Sequence, residues 1–236
     1  MSRRETARTA LVALFVTALV TAQLTASKVL AVPLPVSLGP TGSTVFLPGA
    51  ALAYALTFFA SDCYAELYGK RAAQVLVNVA FAMNFVLLAL VWSTILAPAA
   101  PTSVDPAQFA TVLGASTNIV AGSLLAYVVS QNWDVVVFDA LRERTDGSYL
   151  WLRNVGSTAT SQAIDTVLFV SVAFFVAPTL LGTGQVLPVP VLVSLAVGQY
   201  LLKLLIAVVD TPFVYAVVRF VRDGTDRAAA NPWAGE

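Results

Sequence analysis

The chain has 236 residues, 58% of them hydrophobic and only 11% charged, with a mean hydropathy of +0.81. A soluble domain averages about 45–50% apolar and about 25% charged residues, so a soluble fold would expose large apolar patches, and disorder is excluded by the same composition. Thirteen basic residues balance thirteen acidic ones, which gives no reason to expect nucleic acid as a partner.

What remains is a polytopic membrane protein embedded in a lipid bilayer. A helical span needs about 20 apolar residues. Apolar runs place six spans at 10–32, 47–67, 71–96, 109–130, 157–177 and 189–220, making 1–236 a single all-α transmembrane domain with a flexible tail over 223–236. The first run is longer than the apolar core of a signal peptide and shows no small-residue cleavage site before Pro33. It carries Gln23, Ser27 and Lys28, with Lys28 near the outer end, where its stem can snorkel to the headgroups. Ala18, Ala22 and Ala26 form a small-xxx-small stripe suited to close helix packing. Pro33, Pro35, Gly39, Pro40, Gly42 and Pro48 make the following connection turn-rich.

The second span ends with Asp62 and Glu66, four apart. Like charges at that spacing repel, so a cation is expected beside them, and Lys70 and Arg71 are near enough in sequence to supply it. Asn78, Asn84 and Asn118 add polar atoms to the third and fourth spans. The stretch 109–144 is too long for one crossing; it either projects beyond the bilayer or breaks near 130–134, and Asn132 favours a break there. Ser130-Gln131-Asn132-Trp133-Asp134 and Ser161-Gln162-Ala163-Ile164-Asp165 both read Ser-Gln-x-x-Asp. The recurrence predicts two polar edges facing each other across a short cytoplasmic hairpin, with Gln and Asp on one helical face in each. Capping and interhelical hydrogen bonding would explain the same residues. The last span carries Gln199, Lys203 and Asp210 at spacings that share a face, and Pro212 should kink it. A charge as deep as Lys203 costs about 2.5–3.5 kcal/mol on insertion scales, so it either pairs internally or faces a cavity.

Eleven of the thirteen basic residues fall before the first span, between or at the facing ends of spans two and three, between spans four and five, or at or beyond the end of the last. The connections 33–46, 97–108 and 178–188 have none, so the positive-inside rule places both termini in the cytoplasm. The absence of histidine removes Ser-His-Asp triads and His-based zinc sites. Cys63 is the single cysteine, and Gly69-Lys70 is followed by Arg71, so no phosphate-binding loop is present. No cofactor, no metal and no enzymatic activity is expected. An intramembrane aspartyl protease using Asp134 and Asp165 is disfavoured, because no Gly-x-Gly-Asp surrounds either residue.

Carboxylates, carboxamides and one buried ammonium suit a neutral or zwitterionic solute. A guanine-like edge matches them, since its ring N–H and exocyclic amine donate to one carboxylate while its oxo group accepts from Gln, Asn or Lys. Trp133, Trp151, Tyr127 and Tyr200 could stack on a flat ring. Side-chain chemistry alone leaves an amino acid or a sugar open.

Several segments resemble the VUT family of queuosine precursor transporters. They are Ala26-Ser27-Lys28, the run Ser61-Asp62-Cys63-Tyr64-Ala65-Glu66-Leu67-Tyr68-Gly69-Lys70, Ser130-Gln131-Asn132-Trp133-Asp134 with Phe138, and Leu150-Trp151-Leu152-Arg153-Asn154 before Ser161-Gln162-x-x-Asp165-Thr166. Lys203 and Asp210-Thr211-Pro212-Phe213 complete the set. The resemblance runs from about residue 10 to 220 and implies six helices in a prokaryotic cell membrane. It also implies uptake of 7-cyano-7-deazaguanine and 7-aminomethyl-7-deazaguanine for tRNA modification.

The expected substrate contacts are Gln131, Asp134, Gln162, Asp165, Gln199, Lys203, Trp133 and Asn118. Asp62, Glu66, Lys28, Asp210 and Arg153 are candidates for coupling or ion pairing. The alternative is a substrate-binding subunit of an energy-coupling-factor transporter, with the alanine stripe docking a separate ATPase module. A homodimer also remains open.

Overall fold

The computed structural model describes residues 3–33, 35, 43–145 and 150–230, without the side chains of 150, 151, 153, 154 and 224–230. The order is α1 (Arg3–Thr25), β1 (Val29–Pro33), β2 (Thr44–Pro48), α2 (Ala51–Tyr68), α3 (Lys70–Leu96), α4 (Pro106–Gly114) and α5 (Ser116–Arg144). Then come α6 (Leu150–Ser171), a π-helical turn (Val172–Val176), α7 (Ala177–Leu181), α8 (Val189–Val209) and α9 (Thr211–Ala230). Among the described residues, five stretches are long and apolar enough to cross a membrane: Arg3–Thr25, Lys70–Leu96, Pro106–Arg144, Val155–Leu181 and Val189–Asp223. The protein is thus mostly helical with several membrane-compatible helices. The 18-residue α2, with Ser61, Asp62 and Glu66, is not among the five.

The helix boundaries correct the expected spans in four places. The first helix stops at Thr25, and the apolar residues beyond it form an antiparallel hairpin in which Val29 pairs with Pro48 and Val32 with Val45. β-branched and aromatic residues bounded by prolines favour strand here, and a helix continued to Val32 would leave Pro33 at its end. α5 does not break near 130–134; it runs unbroken to Arg144, and the interruption lies at Ala115. The polar cluster is accommodated because Ser130 Oγ donates to the Tyr127 carbonyl (3.3 Å) and Asn132 Nδ2 to the Val128 carbonyl (2.7 Å), which leaves the helical ladder intact. With 29 residues at about 1.5 Å each, α5 is longer than a hydrocarbon core of about 30 Å is thick. The fifth run starts earlier, at Leu150, and reaches Leu181 through the π turn. The last run is two helices parted at Asp210, two residues before Pro212, and α9 continues to Ala230 through the stretch expected as a tail.

The chain forms two compact units. One contains 1–22, 50–87 and 202–236. Its core joins Leu11, Cys63, Tyr64, Leu67, Ala73, Val218 and Val221, and a second cluster joins Phe15, Leu19, Ala60 and Ala80. Gly69, at φ +91°, ends α2 with a backbone that other residues rarely adopt. The carbonyls of the last turn of α2 are then claimed by arginines. Arg4 donates to Leu67 O (2.8 Å) and Arg222 to Glu66 O (2.9 Å), while the Tyr68 hydroxyl donates back to Arg4 O (2.6 Å). Cations at a helix C-terminus satisfy orphan carbonyls and oppose the negative end of the macrodipole.

The other unit contains 23–49 and 88–201. α5 and α6 pack antiparallel along their length. A Cβ added at Gly122 would lie 2.9 Å from Ala173 Cβ and 3.1 Å from Phe169 O, so only glycine lets α5 approach the π turn this closely. β2 rests on α8, where a Cβ at Gly198 would lie 2.5 Å from Phe46 O.

Candidate functional site

The two Ser-Gln-x-x-Asp segments meet as expected. Ser161 Oγ lies 3.2 Å from Asp134 Oδ1, and Ser130 Oγ lies 3.4 Å from Asp165 Oδ1. The bonds are reciprocal because Ser and Asp are four apart in both helices and the helices run in opposite directions. The same antiparallel register holds where Gly122 meets Ala173. Both serines are buried and both aspartates half-buried. Each hydroxyl also lies near a carbonyl of its own helix, Thr158 O at 3.1 Å for Ser161 and Tyr127 O at 3.3 Å for Ser130. One proton per serine is thus shared between a carboxylate and a carbonyl.

The two glutamines differ in placement. Gln131 is exposed while Gln162 is half-buried, so Gln131 and Asp134 do not share one environment. Trp133 is exposed, and its indole N–H donates to Thr160 Oγ1 (3.2 Å) across the α5–α6 seam. The Tyr200 hydroxyl donates to Ala159 O (3.4 Å). Gln199 is buried, with its Oε1 unpartnered among the described residues, and Lys203 is half-buried one turn further along α8. The side chains of Trp151 and Arg153 lie outside the described residues.

Asn118 has a structural task. Its amide donates to Thr183 O (2.5 Å) and accepts from Thr183 Oγ1 (2.9 Å). Leu187 N donates to Phe174 O (3.0 Å). These bonds pin the segment after α7 against α5 and the π turn. Beside them opens a cavity of 560 Å³ lined by Ser27, Lys28, Asn118, Phe174 and Gln185 among others. Lys28 stands in the exposed turn after α1, outside any helix.

In the first unit the cation that reaches Glu66 is Arg222 of α9, 3.9 Å away, where Lys70 or Arg71 was expected. Chain neighbours were the local choice, but Gly69 turns the chain at the end of α2 and α9 packs on that helix instead. Asp62 lies within electrostatic reach of Asp210 and Glu66. Asp210 sits at the α8–α9 break, where its own N–H donates to Ile206 O (2.8 Å) and its Oδ2 is buried and unpartnered among the described residues.

The sequence reading left Gln23 out of the site. It is 1% exposed, and neither amide atom has a partner among the described residues. Ser123 and Ser194 share that condition in the same unit. A glutamine within an otherwise apolar run was the visible signal. Ala18 and Ala22 of α1, and Ala26 in the turn after it, are buried at 4%, 2% and 0% exposure, so the expected stripe is not an exposed helix face.

No solved structure matches the chain. A curated relative, a "Probable queuosine precursor transporter" of Bacillus subtilis (strain 168), is 32% identical over 169 residues, covering 71% of this chain and 70% of the relative. The family model described as "Putative vitamin uptake transporter" matches residues 48–217, which include both Ser-Gln-x-x-Asp segments and the α8–α9 break. The resemblance read from the motifs is thereby borne out, and the chain belongs to this family of membrane uptake transporters.

Proposed function

We propose that the chain takes up 7-deazaguanine precursors of queuosine across a prokaryotic cell membrane by itself, without an ATPase module. The observation that carries this reading is the extent of similarity to the Bacillus subtilis relative, 169 residues at 32% identity. Six crossings would be α1, α2, α3, α4–α5, α6–α7 and α8–α9, with both termini in the cytoplasm. Eleven basic residues on one side support that orientation.

The Asp134–Ser161 and Ser130–Asp165 crossing is the proposed substrate edge. A guanine-like base presents two adjacent N–H donors, and a carboxylate that gives up a long serine bond for them exchanges one partner for two. Gln162 and Gln199 complete the polar edge and Gln131 and Trp133 border it, while Lys203, one turn beyond Gln199 on α8, is a further candidate contact and Asn118 holds the segment after α7 instead. Asp62 and Asp210 are the coupling candidates, since a desolvated carboxylate near another readily exchanges a proton. The buried alanine stripe removes the feature that favoured an energy-coupling-factor subunit.

The test is uptake of 7-cyano-7-deazaguanine by the purified chain in proteoliposomes, with guanine and an amino-acid panel as controls. Selective uptake that Asp134→Asn and Asp165→Asn each abolish is the expected result. Uptake untouched by both substitutions overturns the site, and absence of any deazaguanine uptake or binding in folded protein overturns the function.

A further inference from the structure

The cavity beside the pinned segment is separate from the Ser–Asp crossing and has its own chemistry. At 560 Å³ it falls within the range of small-molecule sites, about 300–1,000 Å³. Its lining is mostly apolar, with Ser27, Lys28, Thr111, Asn118 and Gln185 as the polar members. No aspartate or glutamate lines it, so Lys28 is its single formal charge. Among the described residues no carboxylate pairs with Lys28, whereas Glu66 and Asp223 each meet an arginine.

The walls are built, not incidental. Asn118 spends its amide oxygen and nitrogen on Thr183, and the Leu187 N–H is held by Phe174 O. The Phe174 ring is locked edge-on against Phe169, with centroids 5.9 Å apart and planes at 90°. The π turn that carries Phe174 is an insertion of the kind that recurs at functional sites, because it re-aims one side chain. Lys28 is also out of place by charge. The three connections on its side of the proposed topology carry no other cation, and a lone lysine there opposes the usual asymmetry.

We infer that this Lys28 cavity is the first binding station for the solute and that it selects by charge, admitting a flat neutral or anionic base and rejecting its cationic analogue. The inference rests on the proposed uptake reading, in which this end of the protein faces outward. An ε-ammonium has three donors and no acceptor, so it can bond a ring carbonyl or a nitrile nitrogen and cannot bond an ammonium. Gln185 supplies both a donor and an acceptor, and Phe174 an apolar wall. The 7-cyano and 7-aminomethyl bases differ in this respect, since the first is neutral and the second carries an ammonium. Like charges about 5–7 Å apart in a half-aqueous mouth, at an effective dielectric between about 40 and 80, repel enough for roughly three- to fifteenfold discrimination.

The experiment is equilibrium binding of both bases to the chain in nanodiscs, for the native protein and for Lys28→Arg, Lys28→Met and Lys28→Glu. Lys28 is exposed in a turn, so these variants should fold, and thermal midpoints check this. The native protein and Lys28→Arg should bind the cyano base about three- to fifteenfold more tightly than the aminomethyl base at low salt. Lys28→Met should lower the ratio by about the same three- to fifteenfold, and Lys28→Glu should lower it further. Added salt should narrow the native ratio, because an open mouth is screened. A ratio unchanged in Lys28→Met, with both bases still bound, overturns the charge selection and leaves the uptake reading standing. Failure of the folded native protein to bind either base overturns both.

Discussion

The reciprocal crossing of α5 and α6 yields a number that can be checked. If Ser161 donates to Asp134, then Ser161→Ala and Asp134→Ala should not be additive in stability. A hydrogen bond to a charged group contributes about 1.5–3 kcal/mol in soluble proteins. Side-chain bonds between membrane helices average about 0.6 and reach about 1.7 kcal/mol. The distance of 3.2 Å exceeds the usual 2.7–2.8 Å for a hydroxyl donor, and the proton is shared with Thr158 O at 3.1 Å. The coupling in a double-mutant cycle should therefore be about 0.5–1 kcal/mol. Ser130→Ala with Asp165→Ala should give less, because that contact is longer, at 3.4 Å. The four residues lie within one helical turn of each other, too close for full additivity, so the two cycles should themselves interact. Equilibrium unfolding in mixed micelles supplies all the free energies needed. Coupling energies below about 0.2 kcal/mol in both cycles would refute the reasoning, since the facing motifs would then be neighbours without a bond.

Two further substitutions test the packing and the interior. Gly198→Ala places a Cβ 2.5 Å from Phe46 O, a backbone atom that cannot step aside, so the overpacking cost of about 1–3 kcal/mol should exceed the helix-propensity gain of about 1 kcal/mol and lower the unfolding midpoint; an unchanged or higher midpoint would show that β2 does not rest on α8. Gln23→Met removes two buried, unpartnered amide atoms without changing length much, so it should stabilise the free protein by about 1–2 kcal/mol while weakening solute binding, and a loss of stability would mean that the amide has a partner after all.

The Ser–Asp crossing was legible because its signal is local and doubled. A serine and an aspartate one turn apart, repeated in two successive helices, must meet as reciprocal pairs once the helices turn back on each other. The hairpin was hidden by composition. Val29 to Val32 and Val45 to Leu47 are as apolar as the helices around them, and five-residue runs are too short for a period of two to stand out from one of 3.6. The interruption at Ala115 had no proline to announce it, while Asn132, which looked disruptive, bonds its own helix. Arg222 as the partner of Glu66 is separated from it by 156 residues, and no spacing rule reaches that far. The arginines before the first helix were legible only as an orientation signal. Their second task, closing the C-terminal turn of α2, follows from packing that local pattern does not reveal.

The polar interior divides into groups that are bonded and groups that are not, and the division bears on how a transporter could work. Most described serines and threonines in the helices turn back to a carbonyl three or four residues earlier, as Thr111, Thr166 and Thr179 do. Gln23, Ser123, Ser194 and Gln199, spread over α1, α5 and α8 of one unit, hold buried atoms with no partner among the described residues. Each such atom costs about 1–3 kcal/mol until something bonds it. A solute that meets them gains bonds without breaking any. A solute that reaches Asp134 must first displace the Ser161 hydroxyl at 3.2 Å, which is nearly an even exchange. Transport needs entry that is favourable and release that is not slow, a balance that one deep, fully unsatisfied site would defeat. Orphan amides that reward entry, and a carboxylate that trades one bond for another, divide those two requirements between different residues.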